Sequence, residues 1–304
     1  MPVALAYLGV VLIWSTTPLG IRYSVDSLDF VQAAALRMWL SLALCVVLLK
    51  LMGIRFPLHR FAWFSYGAGA LGVLGAMLCT YWAARYIPSG LMAVLWGLSP
   101  VFVMLFSTWM FAERAFDVTK LLSLSLAIMG LALVFSGQLD IAFAMVLGLA
   151  VLLVGVSLHA YSSVLIQKVQ SQDVLEVHPL AQTTGALLLA APGYGLAWLF
   201  MSGPIPDSVS AKSMWAVLYL ATMGSVVGFM AYFYLLKKLG AAPVSLTTLI
   251  TPVLALMLGA FIEGERLPIE TWLGALVIMA ALFVYNLQSL KKLLPRVRAA
   301  LPRF

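Results

Sequence analysis

Apolar residues run through this chain in blocks of about 20, the length a helix needs to cross a hydrocarbon core of about 30 Å, with short polar or Pro/Gly-rich breaks between them. Ten blocks are legible, at roughly 3–21, 31–49, 62–84, 89–111, 119–136, 142–166, 178–201, 213–236, 242–262 and 270–289. They take up most of the 304 positions and leave no space for a soluble domain. The pattern therefore predicts an all-α integral membrane protein with ten transmembrane helices. No basic stretch precedes the first block and no small-residue cleavage site follows it, so it reads as a retained helix.

The blocks also repeat. Sliding the chain 152 residues along itself lays Tyr81 to Lys120 over Phe233 to Trp272 without a gap. Pro100 and Val101 fall on Pro252 and Val253, Glu113 and Arg114 on Glu265 and Arg266, and Thr119 on Thr271. Self-similarity over apolar segments is the mark of a duplicated transporter. Five blocks per copy is an odd number, so the copies cross the membrane in opposite senses. The expected organisation is a first five-helix repeat over 1–138, a second, inverted one over 139–290, and a basic tail over 291–304. Such repeats carry a pseudo-two-fold axis in the membrane plane, a substrate site near the midplane, and alternating access by rocking of one bundle on the other.

Composition agrees, with 63% hydrophobic and 10% charged residues against roughly 45–50% and 25% in soluble domains. Charge then sets the orientation. With both termini cytoplasmic, only Arg22, Arg85, Lys212 and Arg266 lie outside and Arg37 lies within a span, while the remaining Lys and Arg residues face the cytoplasm. Arg85 and its repeat partner Lys237 fall on opposite sides, as inversion requires. The net charge of +7 thus reports topology and contact with anionic lipid rather than nucleic acid. The tail from Lys291 to Arg303 suits a helix lying on the cytoplasmic leaflet. Cys45 and Cys79 both sit inside spans and read as free buried thiols.

Ten spans in two inverted halves, Trp14-Ser15 in the first, Arg37 early in the second, the stretch from Tyr81 through Tyr86-Ile87-Pro88-Ser89 into Leu98-Ser99-Pro100 and Ala112-Glu113-Arg114, and its partner from Gly240-Ala241-Ala242 through Thr251-Pro252 to Gly264-Glu265-Arg266 together resemble the EamA-type transporters of the drug/metabolite transporter superfamily. The resemblance covers the whole chain. It implies a carrier of the bacterial inner membrane, typically an exporter of amino acids or related metabolites, with a central cavity lined by helices 1, 3, 4, 6, 8 and 9. One departure is Leu158, where many relatives carry a tryptophan, followed here by His159.

Polar chemistry within the spans is sparse. All eleven acidic residues lie in loops or within about a turn of a helix end, which leaves no mid-depth carboxylate for a proton relay. No HExxH, paired aspartates, Gly-x-Ser-x-Gly or Walker motif is present, so neither an intramembrane enzyme nor an ATP-driven pump is expected, and no cofactor or metal is called for. His159 is the one titratable side chain near a span centre, suited to binding, gating or proton transfer, or else a neutral imidazole bonded to a helix neighbour. Arg37, about six residues or roughly 9 Å from the outer end of its span, either snorkels or braces helices, or binds an anion. Pro100 and Pro252 sit mid-span, where each frees a carbonyl four residues back, on Trp96 and Thr248; the matched kinks either wall a cavity or only shape packing. Ser99, Thr247, Thr248 and Thr251 add hydroxyls beside them. Trp14, Tyr81, Trp82, Trp96, Tyr161, Tyr232 and Tyr234 lie on the helices that the resemblance assigns to the cavity. Glu113 and Glu265 read as organisers of helix ends. The expected partners are a small polar substrate and the bilayer, with the oligomeric state open.

On a background lacking Cys45 and Cys79, single cysteines at Ser89 and Ser208 are expected to react with an impermeant thiol reagent outside intact cells, and one at Gln172 to stay unreacted. The opposite labelling pattern overturns the orientation.

Overall fold

The computed structural model describes residues 2–111, 143–172, 177–249, 251–262, 268–270 and 272–281, with isolated positions between 122 and 136 and at 283–284. Glu113, Glu265 and the basic tail lie outside the described residues. Among the described residues every regular element is helical: α1 Val3–Ser24, α2 Phe30–Leu51, α3 Arg60–Ala83, α4 Ser89–Phe111, α6 Phe143–Gln170, α7 Pro179–Met201 and α8 Ala211–Leu239. These seven are long and apolar enough to cross a membrane. The described positions between 122 and 136 are helical as well (α5), α9 runs over 241–262 with interruptions, and α10 is Trp272–Ala281. The chain forms two compact units, one of Met1–Glu113 with Asp140–Arg266 and one of Arg114–Leu139 with Leu267–Phe304. In the second, α5 and α10 touch backbone to backbone, since a methyl on Gly130 would lie 2.8 Å from the Gly274 carbonyl oxygen.

Helix ends follow local chemistry. Asp29 caps α2 by accepting from the Val31 amide at 2.9 Å while Gln32 Oε1 accepts from the Asp29 amide at 3.2 Å, a reciprocal capping box. His178 caps α7, its Nδ1 accepting from the Leu180 amide at 3.2 Å. Burial and then the Lys237 ammonium lower the pKa of His178, which favours the neutral imidazole that the cap requires. α8 ends at Gly240, whose φ of 84° is the left-handed conformation glycine adopts without strain.

Two helices are wound differently in their middles. Leu71–Ala76 of α3 and Leu220–Val227 of α8 are π-helical. Shifting the first by 152 residues lands it on Met223–Gly228, overlapping the second. Wider turns leave carbonyls for outside donors, and at membrane depth protein must supply them. Ser162 Oγ donates to the Ala68 carbonyl at 2.6 Å and Tyr194 Oη to the Val73 carbonyl at 2.5 Å. On the other copy, Ser41 Oγ lies 3.1 Å from the Ala221 carbonyl oxygen. Between α3 and α7, Ser65 Oγ donates to Gln182 Oε1 at 2.7 Å and Gln182 Nε2 returns a bond to the Ser65 carbonyl at 2.8 Å, the polar contact that substitutes for hydrophobic driving force between helices in lipid.

The prolines do more than kink. α4 stops at Trp96 and resumes at Ser99, and α9 passes from Ala241–Ser245 through a 3₁₀ turn, Leu246–Leu249, before resuming at Thr251. Pro100 therefore stands at the second position of a new helical segment, where a missing N–H is harmless, and Pro252 follows the 3₁₀ turn that interrupts α9. Cys45 and Cys79 are free, as expected. Ser89, however, is only 1% exposed, so thiol labelling of that connection belongs at Tyr86, which is 37% exposed.

A methyl on Gly185 would meet the Tyr66 ring at 2.3 Å, whereas one on Gly195 meets nothing within 4 Å. Gly185→Ala is expected to destabilise the detergent-solubilised protein by about 1–3 kcal/mol and Gly195→Ala to leave it unchanged; equal thermal-unfolding midpoints contradict the α3–α7 packing.

Candidate functional site

The two helix breaks face each other. A methyl on Gly97, in the α4 break, would lie 3.3 Å from Pro252 Cγ and 3.7 Å from the Thr248 carbonyl oxygen. That carbonyl is the one Pro252 deprives of its helical partner. In α4 the chain turns by short-range bonds, Leu98 N to the Leu95 carbonyl and Val101 N to the Leu98 carbonyl, both at 3.0 Å.

Beside this crossing lies a cavity with about 60 Å³ open to the centre of a water-sized sphere. Its walls come from α1 (Trp14, Thr17, Pro18, Ile21), α2 (Arg37), α3 (Met77, Thr80), α4 (Met92, Ala93, Trp96), α6 (His159), α8 (Phe229) and α9 (Thr248, Thr251). These include every helix that the family resemblance assigns to the cavity, and they add α2.

An aromatic cluster forms one side. The His159 ring meets Trp96 edge-on at 5.1 Å, Trp14 edge-on at 5.9 Å and Tyr232 at 5.2 Å, and Tyr232 lies 5.1 Å from Trp14. Tyr232 Oη is held by Ser163 Oγ. Among the described residues neither nitrogen of His159 has a hydrogen-bond partner, so the reading of a histidine satisfied by a helix neighbour does not hold. The residue keeps 9% exposure and lines the cavity.

Arg37 occupies another wall. It is 1% exposed and turned inward, which overturns the snorkelling alternative. Its Nε donates to Ser225 Oγ at 2.8 Å, and one terminal nitrogen lies 3.5 Å from Tyr81 Oη. Among the described residues no carboxylate pairs with it. The π-helical segments meet both polar residues through matched glycines. A methyl on Gly72 would lie 3.7 Å from His159 Nδ1, and one on Gly224, 152 residues on, would lie 3.1 Å from a terminal nitrogen of Arg37.

The remaining expected residues are dispersed. Tyr81 is buried behind Arg37, whose guanidinium carbon lies 6.0 Å from its ring. Trp82 packs on Tyr86 at 4.8 Å with the rings tilted, and Tyr161, two residues round the helix from His159, packs against Phe106 at 5.2 Å. Ser99 and Thr247 are buried off the cavity, the Thr247 hydroxyl donating to the Val244 carbonyl at 2.8 Å. Tyr234 also lies off it, two residues from Tyr232. Helical spacing marks the lining residues that the aromatics do not: Thr17, Pro18 and Ile21 follow Trp14 at i+3, i+4 and i+7, and Met92 precedes Trp96 by four.

A family profile described as the EamA-like transporter family matches residues 1–136 and 146–287. The chain belongs to this family. Among similar proteins, an uncharacterized inner membrane transporter of Escherichia coli K12, YedA, is 26% identical over 297 residues, covering 94% of this chain and 91% of its own. The uncharacterized transporter YoaV of Bacillus subtilis is 24% identical over 293 residues, covering 93% and 96%, and PagO of Salmonella typhimurium is 24% identical over 286 residues, covering 93% and 92%. A protein crystal structure matches the fold with a TM-score of 0.68 at 17% identity, over 95% of this chain and 98% of that one. As an EamA-family member with many apolar helices, the protein is a multi-pass membrane transporter.

If the paired breaks hold the cavity open, Pro100→Ala and Pro252→Ala each lower transport on the order of tenfold, about 1.4 kcal/mol, with unfolding midpoints near that of the parent. Normal transport in both variants, or losses that only track stability, removes the breaks from the mechanism.

Proposed function

We propose that this EamA-family protein is a secondary transporter that exports a small polar metabolite, an amino acid or related compound, across the bacterial inner membrane by alternating access. In this reading ten spans form two inverted five-helix repeats, 1–138 and 139–290, with both termini cytoplasmic and the basic tail on the inner leaflet. No nucleotide or other cofactor is needed. The observation that supports it most is the meeting of the two matched helix breaks, Gly97 against Pro252 and Thr248, beside a cavity to which helices of both halves contribute. Irregular backbone at membrane depth belongs where it lines a site.

The substrate is read from the lining. Trp14, Trp96 and Phe229 offer apolar faces, while His159, Arg37 and the Thr251 hydroxyl offer polar ones. The rival reading, a multidrug or lipid-intermediate exporter, needs a drug-sized pocket of about 300–1,000 Å³, and the cavity holds about 60 Å³. Tyr81 and Ser225 position Arg37, Ser163 positions Tyr232, and Trp82 and Tyr161 brace the helices they pack on.

Counterflow of labelled amino acids in proteoliposomes tests the reading, and it is expected to persist when the pH gradient is collapsed under an imposed substrate gradient. A purified protein that catalyses no counterflow across the amino acids and their close analogues contradicts it. His159→Ala is expected to change affinity or its pH dependence more than folding. Counterflow matching the parent at every pH from about 5.5 to 8, around the free histidine pKa, makes His159 structural.

A further inference from the structure

We propose that Arg37 is the anchor for a substrate carboxylate, so that the transported compound itself supplies the counter-charge that none of the described residues places beside this guanidinium. The inference rests on the reading of the cavity as the transport site and narrows its substrate to small carboxylates.

Burial comes first. A guanidinium stays charged at any pH the protein meets, and a charge at membrane depth persists only if it is paired or faces a wet cavity. Arg37 is 1% exposed. Its neighbours are neutral: Ser225 Oγ takes the Nε proton at 2.8 Å, and Tyr81 Oη stands 3.5 Å from one terminal nitrogen. No carboxylate pairs with it among the described residues, and in the sequence no acidic residue lies at mid-span. The terminal N–H groups that remain belong to a planar fork whose geometry matches the two oxygens of a carboxylate. Arg37 is part of the cavity wall.

The rest of the lining fits the other end of such a molecule. Among the described residues no acidic side chain lines the cavity, so a substrate ammonium would meet there the aromatic faces of Trp14, Trp96 and Phe229, a weaker attraction than an ion pair. Thr251 and His159 also line it, and the Thr251 hydroxyl and the ring nitrogens of His159 have no protein partner among the described residues. They are open to a polar group near the carboxylate. A compound with a positive head and no anion finds no complement here, and the volume of about 60 Å³ limits the body to a few heavy atoms in this conformation.

A series of three-carbon compounds separates the possibilities: propionate and alanine carry the carboxylate, propionamide is a neutral isostere of propionate, and n-propylamine carries only the cation. Each is added to the purified full-length protein in detergent and the thermal-unfolding midpoint is followed against concentration. Propionate and alanine are expected to raise the midpoint saturably, with propionamide and n-propylamine at least tenfold weaker. Arg37→Gln should abolish the difference between propionate and propionamide. Arg37→Lys, which keeps the charge and loses the fork, should retain part of it. Gly224→Ala, which crowds the fork without removing it, should shrink the preference for propionate over propionamide.

The proposal is overturned if neither carboxylate stabilises the protein, if propionamide binds as well as propionate, or if Arg37→Gln retains the preference. Counterflow of labelled alanine in proteoliposomes is read separately. Arg37-dependent carboxylate binding without any counterflow sinks the transport reading and leaves the anion site, whereas undiminished counterflow in Arg37→Gln does the reverse.

Discussion

A backbone amide or carbonyl without a partner at membrane depth costs several kcal/mol, and the irregular features of this molecule are arranged around that constraint. A regular helix satisfies itself and can face lipid anywhere. Each departure from regularity has to be turned toward protein or a cavity. The π turns of α3 and α8 are met by Ser162, Tyr194 and Ser41 from α6, α7 and α2. The breaks of α4 and α9 are turned toward each other, and the Thr248 carbonyl that Pro252 frees is covered by the bare Cα of Gly97. The polar side chains that look scattered along the sequence are therefore largely donors, placed where the backbone has acceptors to spare.

That same accounting explains what the sequence made legible. Hydropathy alone fixed the described spans to within a few residues, because a bilayer tolerates nothing else over that length. The internal repeat pointed to Pro100 and Pro252, since proline is the one residue whose backbone chemistry interrupts a helix by itself. The outcome went further than a kink: each proline follows an interruption of its helix. The π turns were not seen, because no residue type demands one. The matched glycines Gly72 and Gly224 were the available signal, and they acquire meaning only once His159 and Arg37 are known to lie against them.

The site was partly legible for a related reason. His159 is the only imidazole near mid-span, Trp96, Thr248 and Thr251 lie close to the breaks, and Trp14 lies on a helix that the family resemblance assigns to the cavity. The direction in which a long side chain leaves its helix was not legible. Arg37 had two physically reasonable courses, outward to the interface or inward to the bundle, and residue spacing does not distinguish them. The inward one prevails because Ser225 and Tyr81 stand on that side to receive it, and both belong to helices distant in sequence. Tyr232 and Tyr234 illustrate the same limit, since two residues round a helix separate the ring in the cluster from the one outside it.

The repeat is close in its scaffold and unequal in its chemistry. Breaks and π turns occur in both copies, which suits a mechanism in which each half must bend in its turn while the other holds. Arg37 has no cationic counterpart anywhere in α7, and α1, the helix of the first half corresponding to α6, carries no histidine. A substrate with one charged end needs one guanidinium. A second in the same small cavity would repel the first and leave two buried cations with a single anion between them. Duplication thus supplies the helix break twice, while each polar group of the site comes from one half only, Arg37 from the first and His159 from the second, and it is this inequality that gives the proposed site an orientation for the molecule it holds.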